Sequence, residues 1–152
     1  TSFNYGSIGN VNVDCRNNPG YSSDLFTYCA ALKYAGNLCV SPWRVPTSMD
    51  FKKLMTAIEA KVPVKPVTEA LCAEQGRDMM QLEYSGCDDY GTLRYQGVAE
   101  YFHLQSAGNG IMTYYACIHT IAVTVDNNIV WAYVHPGHDY VRSLPVRCVR
   151  DN

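Results

Sequence analysis

The feature that most constrains this chain is its ending. Arg142-Ser143-Leu144-Pro145-Val146-Arg147-Cys148-Val149-Arg150-Asp151 reads as a closing β-strand with a cysteine in its middle. A second cysteine, Cys39, lies more than a hundred residues upstream, just before Trp43-Arg44-Val45-Pro46-Thr47. If the two pair, the end of the chain is tied to its first third. The fold is then a closed loop whose middle is free to vary, which suits display better than catalysis. Seven cysteines occur, at Cys15, Cys29, Cys39, Cys72, Cys87, Cys117 and Cys148, and spacing alone does not fix their connectivity. None forms a CxxC pair or stands at zinc-finger spacing to a histidine, which argues against a metal cluster. Scattered cysteines in a Tyr- and Asn-rich chain favour an oxidising compartment, and the odd count leaves at least one thiol free or shared between chains. Buried reduced cysteines, packing as small hydrophobes, are the competing reading.

At 152 residues with 47% apolar content, the chain has the size and core material of one domain, residues 1–152, with an irregular N-terminal segment over 1–22. Charge is sparse at 17%, and a net charge of -2 gives no electrostatic reason to expect nucleic acid or an anionic membrane as partner. No apolar run approaches the roughly 18 residues of a membrane span. The absence of any Asn-x-Ser/Thr site favours a bacterial over a eukaryotic secreted origin.

Periodicity divides the chain in two. A short strand is expected at 10–13. The spacing of Leu25, Phe26, Cys29, Leu32 and Ala35 predicts a helix over 24–36, started by Asp24 and stopped by Gly36. Thr47 or Ser48 caps a second helix, with Asp50 in its first turn and an apolar stripe of Phe51, Leu54, Met55 and Ile58. Pro63 and Pro66 lie beyond its end, and 67–76 offers a short helical turn around Ala70 and Ala73. After Gly76 come short alternating segments at 79–84, 92–95, 100–105, 114–125, 129–135 and 146–150, with Asp126-Asn127-Asn128 as a hairpin turn. The expected class is α+β, two helices followed by a twisted antiparallel meander.

Cys39-Val-Ser-Pro-Trp43-Arg44-Val45-Pro46-Thr47, followed by Asp50-Phe51 and Leu54, resembles the Cys-Pro-x-Gly-Trp-Arg-Leu-Pro-Thr signature of the Fibrobacter major paralogous domain family. Leu82-Glu-Tyr-Ser85-Gly86, with Tyr90-Gly91 through Gly97, is similar to that family's glycine-punctuated hairpin. Arg142-Ser-Leu-Pro-Val146-Arg147-Cys148-Val149 is similar to its closing motif. The likeness runs in family order over roughly 25–151. It departs at Pro42 and Leu144, where the family has glycine, and at Phe102-His103-Leu104-Gln105-Ser106, where the family has Trp-Ser-Ser. The resemblance implies a C-type-lectin-like fold shared with the variable proteins of diversity-generating retroelements. It also implies a secreted or surface-anchored bacterial protein, often of Bacteroidetes and often at a pilus tip. The implied role is adhesin- or receptor-like ligand binding without catalysis or cofactor, toward a protein or glycan on another cell or a host surface. Cys39–Cys148 is then the first choice for a disulfide, with Cys29 a competing partner for Cys148. Trp43 is expected to anchor the helix pair against the sheet, with a sugar-stacking platform as its other reading.

The stretch 101–143 holds the candidate ligand-binding residues: Tyr101, His103, Gln105, Asn109, Tyr114, Tyr115, His119, Tyr133, His135, His138, Asp139 and Tyr140. Tyrosine gives rigid amphipathic contact area and Asn and Gln give adaptable hydrogen bonds, which is how antibody-like paratopes are built. The competing reading buries half of these rings in a sheet. Asn and Tyr codons are also targets of adenine-directed diversification. Other chemistries compete less well. His135-Pro136-Gly137-His138-Asp139 has metal-ligand types, but Pro-Gly makes it a turn. Asp88-Asp89 and Asp126-Asn127-Asn128 could offer oxygens to Ca²⁺ in a calcium-dependent lectin, the alternative function, yet the Glu-Pro-Asn and Trp-Asn-Asp motifs of such lectins are absent. Cys117 and His119, two apart on a strand, point the same way, so a Cys-dependent hydrolase is a further alternative.

Overall fold

The computed structural model describes residues 15–22, 24–89, 91–105, 114–136 and 142–151. The strand expected at 10–13 lies outside these. The described chain is mixed α+β, with four helices and antiparallel sheets. Helices α1 (Tyr28–Lys33) and α2 (Ala35–Leu38) come first, then α3 (Ser48–Lys61) and α4 (Glu69–Met80). The strands are β1 (Cys15–Arg16), β2 (Leu25–Phe26), β3 (Trp43–Arg44), β4 (Cys87–Asp89), β5 (Thr92–Arg94), β6 (Ala99–Leu104), β7 (Tyr114–Val125), β8 (Asn128–Pro136), β9 (Arg142–Ser143) and β10 (Val149–Arg150).

The centre is the β6-β7-β8 meander. Its register places Phe102 opposite Ala116 and Ala116 opposite Val134, while Tyr101 lies opposite Cys117 and Cys117 opposite Tyr133. Because successive side chains alternate, the sheet has two distinct faces. On one face Phe102, Leu104, Ala116 and Ile118 pack with Trp131 against Phe51 and Ile58 of α3 and Cys72 and Ala73 of α4. Each large apolar side chain so buried contributes on the order of 1.5–3 kcal/mol. On the other face Tyr101, Tyr115 and Cys117 pack against Cys87 of β4 and Leu144. Asp126 and Asn127 both take positive φ, 49° and 65°, the backbone that a tight two-residue hairpin demands.

Helix α3 starts as its sequence predicts. The Thr47 hydroxyl accepts from the Asp50 N–H, and the Asp50 carboxylate accepts from the Thr47 N–H, closing a capping box. The Arg44 guanidinium meets the same carboxylate through Nη1 at 2.5 Å and Nη2 at 3.2 Å, and also reaches Asp151 at 2.9 Å. β3 pairs with β10, and Cys39 and Cys148 form a disulfide across 109 residues of sequence. The end of the chain is therefore fastened both to the turn before β3 and to the start of α3. A formed disulfide belongs to an oxidising, extracytoplasmic environment. No helix among the described residues is long and apolar enough to cross a membrane.

Several expectations are corrected. The helix foreseen over 24–36 begins only at Tyr28. Phe26 exchanges backbone hydrogen bonds with Leu144, which draws 25–26 into β2, and Thr27 rather than Asp24 caps α1. Gly36 does not stop the helical run but lies inside α2. Residues 15–16, expected to be irregular, form β1 against β2. The short turn at 67–76 is a full helix that runs through Gly76 to Met80, so no strand forms at 79–84. The closing strand over 146–150 shortens to Val149–Arg150. Trp43 anchors no helix pair: it is 47% exposed on the short β3 strand, with the Arg150 guanidinium 5.3 Å above its ring.

Candidate functional site

The chain's concentrated polar aromatic chemistry lies on the β6-β7-β8 face turned away from the helices. Tyr101, Cys117 and Tyr133 sit side by side across three strands, and both tyrosine hydroxyls hydrogen-bond the Cys117 sulfur. His119, two residues along β7, places Nε2 3.3 Å from that sulfur, as the strand spacing predicts. Its ring stacks on Tyr133 with centroids 5.7 Å apart. One register step away Tyr115 stacks on His135 at 4.6 Å and 8°. Arg142 of β9 donates from Nη1 to the Tyr115 hydroxyl at 3.0 Å and lies over its ring. The same guanidinium pairs with Asp89 of β4 at 3.5 Å. Arg142 Nε and Asp89 Oδ1 are buried atoms without a partner among the described residues, so this corner keeps one donor and one acceptor open.

Burial favours the uncharged forms of the thiols, the phenols and His119 on this face. It pushes the Cys117 thiol up to about 11, against the tyrosine hydrogen bonds that pull it down, and the Cys87 thiol up to about 12. It raises the Tyr101 and Tyr133 phenols and lowers His119. At neutral pH the Cys117–His119 contact is therefore a thiol beside a neutral imidazole. An activated cysteine nucleophile needs the opposite shifts, a depressed thiol and a charged histidine. Cys87 and Cys117 are both free thiols. Cys87 follows Gly86, which bridges Glu100, so Tyr101 stands between the two cysteines. Two strand spacings separate them by roughly 9.5 Å, beyond disulfide reach.

The structure sorts the residues expected to bind ligand. Tyr133, His119 and His135 come together at the accessible side of this face, and Tyr115 lies beneath His135. Tyr114 faces the other way, toward α3. Tyr101, His103 and Gln105 are not displayed: their exposures are 5%, 3% and 7%. The reason is structural. His103 Nε2 is hydrogen-bonded to the Phe26 carbonyl at 2.8 Å, and Gln105 Nε2 donates to the Val45 carbonyl at 2.6 Å, so both side chains tie β6 to backbone that has no other partner there. Asn109, His138, Asp139 and Tyr140 lie outside the described residues. Among the described residues no group of three or more His, Cys, Asp or Glu side chains could hold a metal ion. Sequence reasoning named Asp89 only as a possible Ca²⁺ oxygen and Arg142 only within the closing motif; their pairing, and the Arg142 contact with Tyr115, arise from the β4-β9 pairing of distant segments. The Arg142 of the closing motif was the available signal.

No protein-family model, curated protein or solved structure matches this chain.

Proposed function

We propose that this chain is a non-catalytic ligand-binding domain of adhesin or receptor type, with a C-type-lectin-like fold, in a secreted or surface-anchored bacterial protein. The motif resemblance at Cys39–Thr47, Leu82–Gly97 and Arg142–Val149 supports the fold and the pilus-tip or cell-surface setting. The observation that carries the function is the pair of stacked imidazole–phenol couples, His119 on Tyr133 and Tyr115 on His135, held side by side on one sheet face. Stacked rings offer flat apolar area, and their rims offer hydroxyl and imidazole hydrogen bonds. This combination suits a sugar ring or a peptide side chain. The ligand is a protein or glycan of another cell or host surface. Binding needs no metal, and the neutral Cys117 thiol takes no part in bond chemistry.

Glycan and peptide arrays probed with the folded domain test this reading. Ligands are expected to bind equally in EDTA and calcium, and to be lost on Tyr133→Ala and His135→Ala. Binding that survives both substitutions refutes the site. Binding that disappears in EDTA and returns with calcium refutes the metal-free mechanism.

A further inference from the structure

Around the edge of β8 from the stacked rings lies a cleft of about 630 Å³ between α3 and the sheet. Phe51, Lys52 and Met55 line it from the helix, and Ala132, Tyr133 and Val134 line it from the strand. Three consecutive strand residues point to alternate faces. A cavity that touches all three therefore runs along the strand's backbone edge rather than over one face. β8 is an edge strand: β7 is its sole pairing partner among the described strands.

The hydrogen-bond pattern shows which backbone groups that edge presents. The His103 N–H donates to the Pro145 carbonyl, and the Ala99 carbonyl accepts from Gly86, so these odd-numbered residues of β6 turn their backbone away from β7. In an antiparallel pair the orientation alternates, so the even-numbered residues of β6 bond β7. Their partners on β7, Tyr114, Ala116 and Ile118, are then spent on β6. Tyr115 and Cys117 bond β8 through His135 and Tyr133. By the same alternation Ala132 and Val134 turn their N–H and C=O groups outward, into the cleft. The edge is closed at both ends. The Trp131 N–H is taken by the Glu69 carboxylate of α4 at 3.1 Å, and Pro136 has no N–H to offer. Between these stops a stretch of strand with no further pairing partner among the described strands faces Phe51 and Met55 of α3, flanked by the polar Ser48, Lys52 and Thr56. Among the described residues that line the cleft, Lys52 carries the one charge and no carboxylate stands beside it.

We propose that this cleft takes an extended, acidic polypeptide segment of a partner as a fourth strand beside β8. Its backbone pairs with Ala132 and Val134, alternate apolar side chains lie over Phe51 and Met55, and a carboxylate meets Lys52. The open stretch is three residues long, about 10 Å, so the recognised segment is about four to five residues. The charge and the strand edge together favour an acidic peptide over a neutral sugar at this place, because a neutral sugar brings neither a carboxylate for the lysine nor a strand backbone for the edge. The inference rests on the binding-module reading and names a class of ligand for it.

The test is selection of random heptapeptides on the folded domain, followed by titration of the best peptide, fluorescein-labelled, and of its analogue N-methylated at alternate residues. The expected winners alternate apolar residues and include Asp or Glu. Their binding perturbs the backbone amide resonances of Ala132 and Val134. N-methylation on the strand-pairing side and Lys52→Glu each weaken binding about tenfold or more, the loss of roughly one or two backbone or charge-assisted contacts. Met55→Arg, checked for native circular dichroism, does the same, whereas His119→Ala leaves the peptide bound. Peptides that bind but ignore N-methylation and Lys52→Glu overturn the cleft while leaving a binding module in place. Recovery of no alternating peptide also overturns it, and array binding through Tyr133 and His135 would then keep the broader reading alive.

Discussion

Replacing Asp50 by asparagine isolates the joint that fastens the chain's end to its helical half. The Asp50 carboxylate accepts from the Arg44 guanidinium twice, from the Thr47 N–H at 2.8 Å and from the Thr47 hydroxyl at 3.0 Å. The Arg44 partnership, helped by the Thr47 hydrogen bonds and opposed by partial burial, holds its pKa down from 3.8 to about 2. By linkage that displacement corresponds to about 2.4 kcal/mol at pH 7. The side chain is still 27% exposed, so solvent screening reduces the figure to about 1–2 kcal/mol. Asparagine keeps the shape and one acceptor oxygen but removes the charge, so Asp50→Asn should cost that amount, about 3–7 °C in Tm for a chain of this size.

The pH dependence carries the sharper test. The folded pKa lies below the unfolded one, so the stabilisation is fully present above pH 4 and fades as pH falls toward 2. Urea unfolding of both proteins at pH 7 and pH 3 should show the gap between them shrinking to about half at pH 3, because the wild type by then has lost part of what the variant never had. A gap that stays constant from pH 7 to pH 3 would show that the cost of Asp50→Asn comes from packing or the cap alone, and would refute the ion-pair argument.

Three further outcomes follow from other parts of the fold. A Cβ at Gly76 overlaps the Trp131 ring, so Gly76→Ala should lower stability by about 1–3 kcal/mol despite the helix propensity alanine adds; a raised urea midpoint would show that the ring moves aside freely. Replacing Cys39 and Cys148 together by serine should cost about 4–5 kcal/mol through the loop entropy returned to the unfolded chain, and reductant should lower the wild-type Tm toward that of the variant. Cys117 should react with iodoacetamide at pH 7.5 more than about a hundredfold slower in the folded protein than in urea, judged by peptide mass mapping, because the buried thiol is pushed up to about 11; fast native labelling would contradict its neutral, enclosed state.

Where local chemistry decides the structure, the sequence could be read. Thr47-x-x-Asp50 with its stripe announces α3, and Asp126-Asn127 between β-branched runs announces the β7-β8 hairpin. The sequence failed where a distant segment overrides the local signal. The sequence turns from a short helical turn to strand-like alternation at Gly76, yet α4 continues through it to Met80, with the Trp131 ring lying where a Cβ would stand. Asp24 reads as a cap, but Leu144, far along the chain, takes Phe26 into a bridge and leaves Thr27 to start α1. His103 and Gln105 read as surface chemistry because histidine and glutamine are polar. Their partners are the carbonyls of Phe26 and Val45, and no spacing rule connects these to β6. The site was legible as a region for the same reason. The alternation of β7 and β8 puts Cys117, His119, Tyr133 and His135 on one face, while the burial of Tyr101 depends on β4 and Leu144 arriving over it.

The closing segment explains why the two sides of the sheet differ. Many of its restraints fall on the first third of the chain and on β6: Cys148 on Cys39, Asp151 on Arg44, Leu144 on Phe26, and Pro145 on His103, while Arg142 reaches Tyr115 of β7. These contacts fasten the β6 side of the meander and the helices together. On β8, Glu69 of α4 reaches the Trp131 N–H and goes no further along the edge described. A substitution at His119, Tyr133 or His135 therefore touches neither the disulfide nor the Arg44 clamp. The helix-facing residues of β7 and β8, Ala116, Ile118 and Trp131, belong to the main core, while His119, Tyr133 and His135 stack on the other side of the sheet, where a changed side chain does not reopen the disulfide-closed loop.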